Sequence, residues 1–415
     1  MSVSVVQDGA PARELRALRA GGFLQPRRPA FWLYLVLLVG FGAQTLLGYG
    51  PKLVEIGPVP ALAAVGLIVL WTLPLLWFIR RLDLFEKEPV SLLVAAFVWG
   101  AVIAIGIAGR ANGGLDVALA KLDPDLQEIW GAALSGPTTE EPLKALGVVM
   151  VVLIARHKFD RLLDGMVYGA LAGLGFQAFE DFAAMIRDVS SDDLASALQT
   201  VGGVFLQRSI LDGLWTHAVW TALVGLGIAY WVTRPTVSRW RRLTVLAGLF
   251  LVAWLFHFIH NGPAIRWPRL VGIEQSGPVA ELGLPYLGIL VNALLTLALA
   301  ITLYRRAQRE EYHWFESVLA DDVGTELITR EEAETLRTLR LRRRARSAIR
   351  RARGRDAARV MARVQREQIA YAVAKARGPE PAALAELERS RTRIRDLRRR
   401  LASYPDRARQ GPQVS

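Results

Sequence analysis

Eight strongly apolar stretches alternate with short polar segments along the first 304 positions, at roughly 31–49, 59–79, 89–109, 126–155, 162–186, 203–232, 243–262 and 281–304. A helix rises ~1.5 Å per residue and the hydrocarbon layer is ~30 Å thick, so runs of this length predict membrane-crossing helices. The fourth and sixth runs are longer than the others and interrupted by polar residues, which suits tilted or broken spans. The pattern predicts an all-α fold: a polytopic membrane helix bundle of about eight transmembrane helices, followed by a helical cytoplasmic C-terminal tail. Residues 1–30 form a basic N-terminal segment, 31–304 the bundle and 305–415 the tail.

Composition agrees. The 415 residues are 52% hydrophobic, with mean hydropathy +0.27. There is no cysteine, which excludes disulfides, iron–sulfur clusters, thiolate zinc sites and a cysteine nucleophile. The first apolar run is long and no A-x-A cleavage site ends it, so it reads as a retained span rather than a signal peptide. No internal repeat, Walker loop or dinucleotide fingerprint is present.

Basic residues cluster in alternate connections. Arg27 and Arg28 precede the first run, Arg80 and Arg81 follow the second, Arg156 and Arg161 the fourth, Arg241 and Arg242 precede the seventh, and Arg305 and Arg306 follow the eighth. The positive-inside rule places all of these on the cytoplasmic side if there are eight spans. The expectation is a multi-pass cell-membrane protein with both termini cytoplasmic.

The tail carries 28 arginines and lysines against 16 acids, so about +12 of the net charge of +13 lies there. Its first part is acidic, its second part strongly basic, and RGPEPAALAE reads as a hinge before a last Arg-rich helix. A solvated helical tail is expected, with anionic lipids as partners of its arginines. No nucleic-acid reading motif is present, and no nucleic-acid partner is expected.

The informative residues are those a lipid-facing helix would avoid. An ionisable group at mid-membrane costs at least about 2.5 kcal/mol on insertion scales, so it faces a cavity or a partner. The fourth run contains SGPTTEEPLKAL, with Glu140, Glu141 and Lys144. Gly136, Pro137 and Pro142 predict irregular backbone at the glutamates, with a capping box between Thr138 and Glu141 restarting the helix. Lys144 is four residues from Glu140 and three from Glu141, within ion-pair reach. The fifth run places Phe176 and Glu180 on one face, beside Asp181. Its Gly165, Gly169, Gly173 and Gly175 predict close helix packing. The sixth run carries His217, and the seventh His257, His260 and Asn261. Glu140, His217 and His257 each lie a dozen or more residues from a membrane edge, ~20 Å deep at the helical rise.

Four motifs in order, E-E-x-x-K at Glu140–Lys144, F-x-x-x-E at Phe176–Glu180, H-A-x-W-T at His217–Thr221 and H-x-x-x-N at His257–Asn261, resemble the PrsW family. These are bacterial multi-pass intramembrane proteases, similar in motif logic to the CAAX-processing prenyl endopeptidases. The resemblance covers roughly residues 60–300 and leaves the tail outside. It implies a catalytic set of Glu140, Glu141, Glu180, His217, His257 and Asn261, with Lys144, Phe176 and His260 in support. It also implies a membrane-protein substrate such as an anti-sigma factor. Asp181 departs from the asparagine expected after Glu180, and His260 is a second candidate for the last histidine.

Amide hydrolysis needs an activated water, an oxyanion stabiliser and a proton for the leaving amine. The preferred expectation needs no cofactor: Glu140 or Glu141 activates water while His217, His257 and Asn261 orient it and stabilise charge. The alternative is zinc held by Glu180, His217 and His257 with Glu141 as base, although no H-E-x-x-H helix is present. A proton- or ion-coupled transporter and an inactive membrane scaffold are the other function classes that intramembrane acids and histidines allow.

Overall fold

The computed structural model describes residues 22–82, 88–190, 193–263, 278–376 and 381–405. Their regular structure is helical, with one isolated bridge between Val323 and Ile328. The described residues form two compact units that divide after Tyr304.

The first unit begins with α1 (Pro29–Ile56) and α2 (Pro58–Ile79), joined at Gly57, whose φ of +77° suits glycine. Helix α3 (Val90–Leu122) contains a wider π-type turn at Trp99–Ala104. Then follow α4 (Pro124–Ala155), α5 (Leu162–Arg187), and α6, which runs Leu194–Phe205 and continues as π-type turns over Leu206–Gly213. Helices α7 (Thr216–Thr233), α8 (Arg239–Asn261) and α9 (Pro278–Leu319) complete the set; α9 extends past the division between the units.

Six of these helices are long and apolar enough to cross a membrane: α1, α2, α3, α5, α8 and the Gly283–Leu319 part of α9. Helices α4 and α7, which hold the fourth and sixth polar sets, fill the remaining places in the bundle. Helix α5 is its axis: 89% of its most apolar stretch is buried, against 11% for α1. The outward leucines and valines of α1, α2 and α8 (Leu46, Leu70, Leu251) would be a liability in water and are at home in lipid.

The contacts at the ends of the bundle fall into two groups. Phe23 N donates to Ser91 Oγ at 3.0 Å, Tyr304 hydroxyl to Leu82 O at 3.0 Å and Arg156 to Val232 O at 3.0 Å. Lys52 instead donates to Val189 O at 2.8 Å, tying together two of the connections poor in arginine. Contacts within each group join connections of the same parity along the chain.

The axis is tight because its glycines remove side chains where backbones meet. A Cβ on Gly165 would lie 2.1 Å from Gly225 O, one on Gly169 2.3 Å from Thr221 O, and one on Gly173 2.1 Å from His217 O. Those three positions seat α7. On another face, a Cβ on Gly175 would lie 2.0 Å from Phe97 O, so α3 is seated by the same means. In a bilayer, where association rests on packing rather than on the hydrophobic effect, such contact is the main adhesive.

The second unit is more than a solvated tail. After α9 come α10 (Arg330–Leu336), α11 (Leu339–Arg353), α12 (Arg355–Ala376) and α13 (Pro381–Ala402). They enclose a core of Phe315, Leu319, Ile328, Leu336, Tyr371 and Ile394. Thr329 and Glu332 form the capping box that starts α10, at 3.2 and 3.0 Å. Buried Tyr371 donates to Asp322 at 2.8 Å, and Gln368 donates to Leu327 O at 3.0 Å. Of the expected hinge RGPEPAALAE at 377–386, residues 377–380 lie outside the described residues, and from Pro381 onward the chain is already in α13 rather than in a hinge.

Gly165→Ala should lower the thermal stability of the detergent-solubilised protein by about 1–3 kcal/mol, the usual cost of overpacking a close contact. Gly203→Ala, where nothing lies within 4 Å, should leave it unchanged or slightly raised. Equal behaviour of the two variants in a melting experiment would contradict this account of the α5–α7 contact.

Candidate active site

Helix α4 carries the acids, and it is one unbroken helix. Asp123 caps it, accepting from Asp125 N at 2.9 Å, and Pro124 occupies its first turn. The irregular backbone expected at Gly136–Pro142, and the Thr138–Glu141 capping box, do not form. Each proline deletes one donor, whereas an unwound turn would leave up to four donors and four acceptors unmet where lipid supplies none. Hydroxyls and a neighbouring amide bind carbonyls around the prolines instead. Ser135 Oγ donates to Gly131 O at 2.7 Å, Thr139 Oγ1 to Ser135 O at 3.0 Å, and Asn261 Nδ2 to Ala132 O at 3.2 Å.

The continuous helix sets Lys144 one turn beyond Glu140 and Glu141, within reach of both. Lys144 Nζ, fully buried, is 3.0 Å from Glu140 Oε2 and 3.0 Å from Glu141 Oε1. Phe176 of α5 lies beneath the ammonium at 4.1 Å from its ring centroid.

The break in the chain occurs elsewhere. Between α6 and α7, Leu214 adopts φ +45°, ψ −113°, the one non-glycine residue at positive φ among those described. Strain of this kind costs of order 1–3 kcal/mol and persists only where surrounding structure imposes it. Here Gln177 Nε2 donates to Leu214 O at 3.1 Å, Leu214 N donates to Ser209 O at 3.1 Å, and Thr216 Oγ1 donates to Gly213 O at 2.7 Å. The sixth apolar run is thus two helices, and the second begins one residue before His217.

The α5–α7 glycine contact then delivers His217 to the acids. Its Nδ1 is 2.6 Å from Lys144 Nζ and 4.0 Å from Glu140 Oε2, and its Nε2 is 3.3 Å from Glu180 Oε2. From α8, His257 Nδ1 meets Glu141 Oε1 at 2.9 Å while its Nε2 faces Glu140 Oε2 at 3.9 Å. Trp220 stacks on His257, 4.4 Å between centroids and 16° between planes, which fixes the ring. Each imidazole therefore has a carboxylate at one nitrogen and turns the other towards Glu140.

Glu140, Glu141, Glu180, His217 and His257 are brought together, with Lys144 and Phe176 among them. Asn261 borders the group through Gly136, where a Cβ would lie 3.0 Å from Asn261 Nδ2, 3.6 Å from Glu140 Oε1 and 3.7 Å from His257 Nε2. His260 lies on the other side of Trp220 and pairs with Asp212, Nε2 to Oδ1 at 3.3 Å. Asp181 is turned away to Ser209 Oγ at 2.8 Å.

Four participants escaped the sequence reading. Arg208 binds Glu180 at 2.9 Å, Asp212 holds His260, Asn112 donates to Glu140 Oε1 at 3.3 Å, and Gly136 supplies floor space. Arg208 and Asp212 are ionisable groups inside the sixth apolar run, so the rule that found the glutamates would also have found them. Asn112 and Gly136 carry no such signal.

The donor set suits a divalent metal. Glu140, His217 and His257 each offer an atom within 4.8 Å of the others, and all three are buried. Two imidazoles and one carboxylate make a donor set typical of catalytic zinc, and a carboxylate behind each imidazole is the usual outer support of such a site. The glutamate in this triad is Glu140 rather than the expected Glu180, because Arg208 and His217 Nε2 engage Glu180. Lys144 Nζ lies against the same Glu140 Oε2 and His217 Nδ1, so an ion bound at those atoms would displace the ammonium.

No curated protein and no solved structure matches the chain. The sequence profile of the PrsW family intramembrane metalloproteases matches residues 88–299, which span α3 to α8 and every residue of this cluster. That match takes in just over half of the chain, which therefore belongs to the PrsW family of intramembrane metalloproteases.

Proposed function

We propose that the chain hydrolyses a peptide bond in a membrane-embedded or membrane-proximal segment of another protein, at the cluster formed by Glu140, Glu141, His217 and His257. The observation that carries this reading is the paired arrangement of the imidazoles, each backed by a carboxylate and both turned to Glu140. A transporter or scaffold has no need of that arrangement. Residues 31–304 would be the peptidase and 305–415 an appended unit. The connections rich in arginine favour a cell-membrane protein with both termini in the cytoplasm. A single-pass regulatory protein such as an anti-sigma factor is the substrate that the family likeness suggests.

Glu140, His217 and His257 would hold the metal ion that the family description implies. Bound there, a divalent cation supplies Lewis acidity, polarising a carbonyl and lowering the pKa of water. Glu141 does two things. Its Oε1 fixes His257, while its Oε2 is buried and has no hydrogen-bond partner among the described residues. A buried carboxylate oxygen in that state is costly unless something occupies it, and an attacking water fits: Glu141 takes its proton and passes it to the leaving amine. Glu180, held by Arg208, keeps His217 in orientation. Lys144 offsets the negative charge of the acids, and Asn261, beside Gly136, is placed to donate to an oxyanion at the edge of the cluster.

Glu141→Gln should reduce cleavage by about 10²–10⁴-fold when the two forms are compared at equal amounts of protein in the membrane. Comparison of membrane-protein fragments from cells carrying either form is the measurement; an unchanged fragment pattern, or a changed proton flux instead, would count against a peptidase. Gly136→Ala should lower kcat, because its Cβ enters the space between Asn261, Glu140 and His257. Assay of purified Gly136→Ala protein against wild type at equal melting temperature checks this.

The metal assignment is tested separately. Pure protein should contain about one zinc or similar ion per chain, lost in His257→Ala, and a chelator should abolish cleavage until metal is restored. Full activity of metal-free protein would return the chemistry to the glutamates alone.

A further inference from the structure

The second unit holds an arginine cluster that the peptidase reading does not use. Helices α11 and α12 meet at Gly354, whose φ of +93° turns the chain. Between them lies a groove of about 560 Å³ with Arg343, Arg346, Arg350, Arg355 and Arg359 along its walls and Ser347 beside them. Asp356 pairs with Arg359 at 2.8 Å. Among the described residues no carboxylate pairs with the other four. Arg346 is half-buried, and its guanidinium is pushed down from its usual value by burial and by the neighbouring charges of Arg343 and Arg366.

Helix α13 also carries many arginines, but it differs. Its Arg389 pairs with Glu386 at 2.5 Å, Arg391 with Glu388 at 2.7 Å and Arg395 with Glu326 at 2.5 Å, and Arg398 pairs with Glu332. The unit therefore pairs these arginines of α13 with acids, while among the described residues Arg343, Arg346 and Arg350 of α11 have no carboxylate partner. Like charges three and four residues apart, such as Arg343, Arg346 and Arg350, destabilise a helix that has no counter-anion.

The geometry points to a phosphate-binding groove: the five arginines between α11 and α12 take a phosphate-rich anion of headgroup or nucleotide size. Guanidinium forks match phosphate oxygens in bidentate fashion, which solvated lysines would not. The five guanidinium groups line one open groove, which suits one compact group. That group is either the headgroup of an anionic phospholipid or a soluble phosphate compound. The inference is independent of the peptidase reading.

The test uses the full-length protein in nanodiscs of phosphatidylcholine. In one arm sodium pyrophosphate is added at constant ionic strength; in the other, part of the lipid is replaced by cardiolipin. Wild type should melt about 2 °C or more higher in at least one arm, as ligand linkage requires. A response to pyrophosphate alone identifies a soluble ligand, and a response to cardiolipin alone a headgroup. The double variant Arg346→Gln, Arg350→Gln should lose the response yet melt no lower than wild type without ligand, because it relieves repulsion. Ser347→Glu, which adds a carboxylate beside the groove, should also lose it, while Arg395→Gln should keep it. No response of wild type in either arm, the same response in the double variant, or a double variant that is less stable before any ligand is added would overturn the proposal.

Discussion

The bundle is organised around a charge that cannot stand alone. Lys144 is fully buried, and moving an ammonium out of water costs several kcal/mol unless anions surround it. Glu140 and Glu141 do so, at 3.0 Å each, and the Phe176 ring closes the remaining side. The acids are in turn tolerable only because of this cation and the two imidazoles. Removing any one member leaves another buried and uncompensated. The requirement fixes how α5, α7 and α8 stand around α4, since each contributes a partner.

Much of this was legible in the sequence, for a physical reason. Ionisable residues are so unfavourable in lipid that Glu140, Glu141, Glu180, His217 and His257 stand out without any coordinates. Helical spacing alone brings Lys144 to both glutamates, and the glycines of α5 announce a close neighbour. The path of the backbone was harder to read. Pro137 and Pro142 signal a break by the rules that hold in water, yet α4 runs through them, because lipid makes an unwound turn dearer than two missing donors. Leu214 gives no local signal at all, and its left-handed conformation is imposed by Gln177, Ser209 and Thr216.

The glutamate of the proposed donor set shows the same limit. Sequence spacing treats Glu140 and Glu180 as equals at similar depth. Arg208 decides between them by drawing Glu180 into an ion pair, and that contact crosses from α5 to α6. Composition likewise revealed the basic second unit but not that Arg389, Arg391, Arg395 and Arg398 on α13 find acids while Arg343, Arg346 and Arg350 on α11 have no carboxylate partner among the described residues.

Backbone contact between α5 and α7 also bears on how a polypeptide reaches the acids. Glu180 and His217 ride on two helices whose main chains touch at Gly165, Gly169 and Gly173, so they share a single rigid frame. A cleft cannot widen there without separating main chains at several points together. Helix α8 is held differently: Leu251, Leu255 and Ile259 point outward, and its hold on α4 runs through side chains such as Trp254 to Thr138 at 3.2 Å. Under the proposed peptidase reading, a polypeptide would reach the acids between α8 and α4 rather than between α5 and α7.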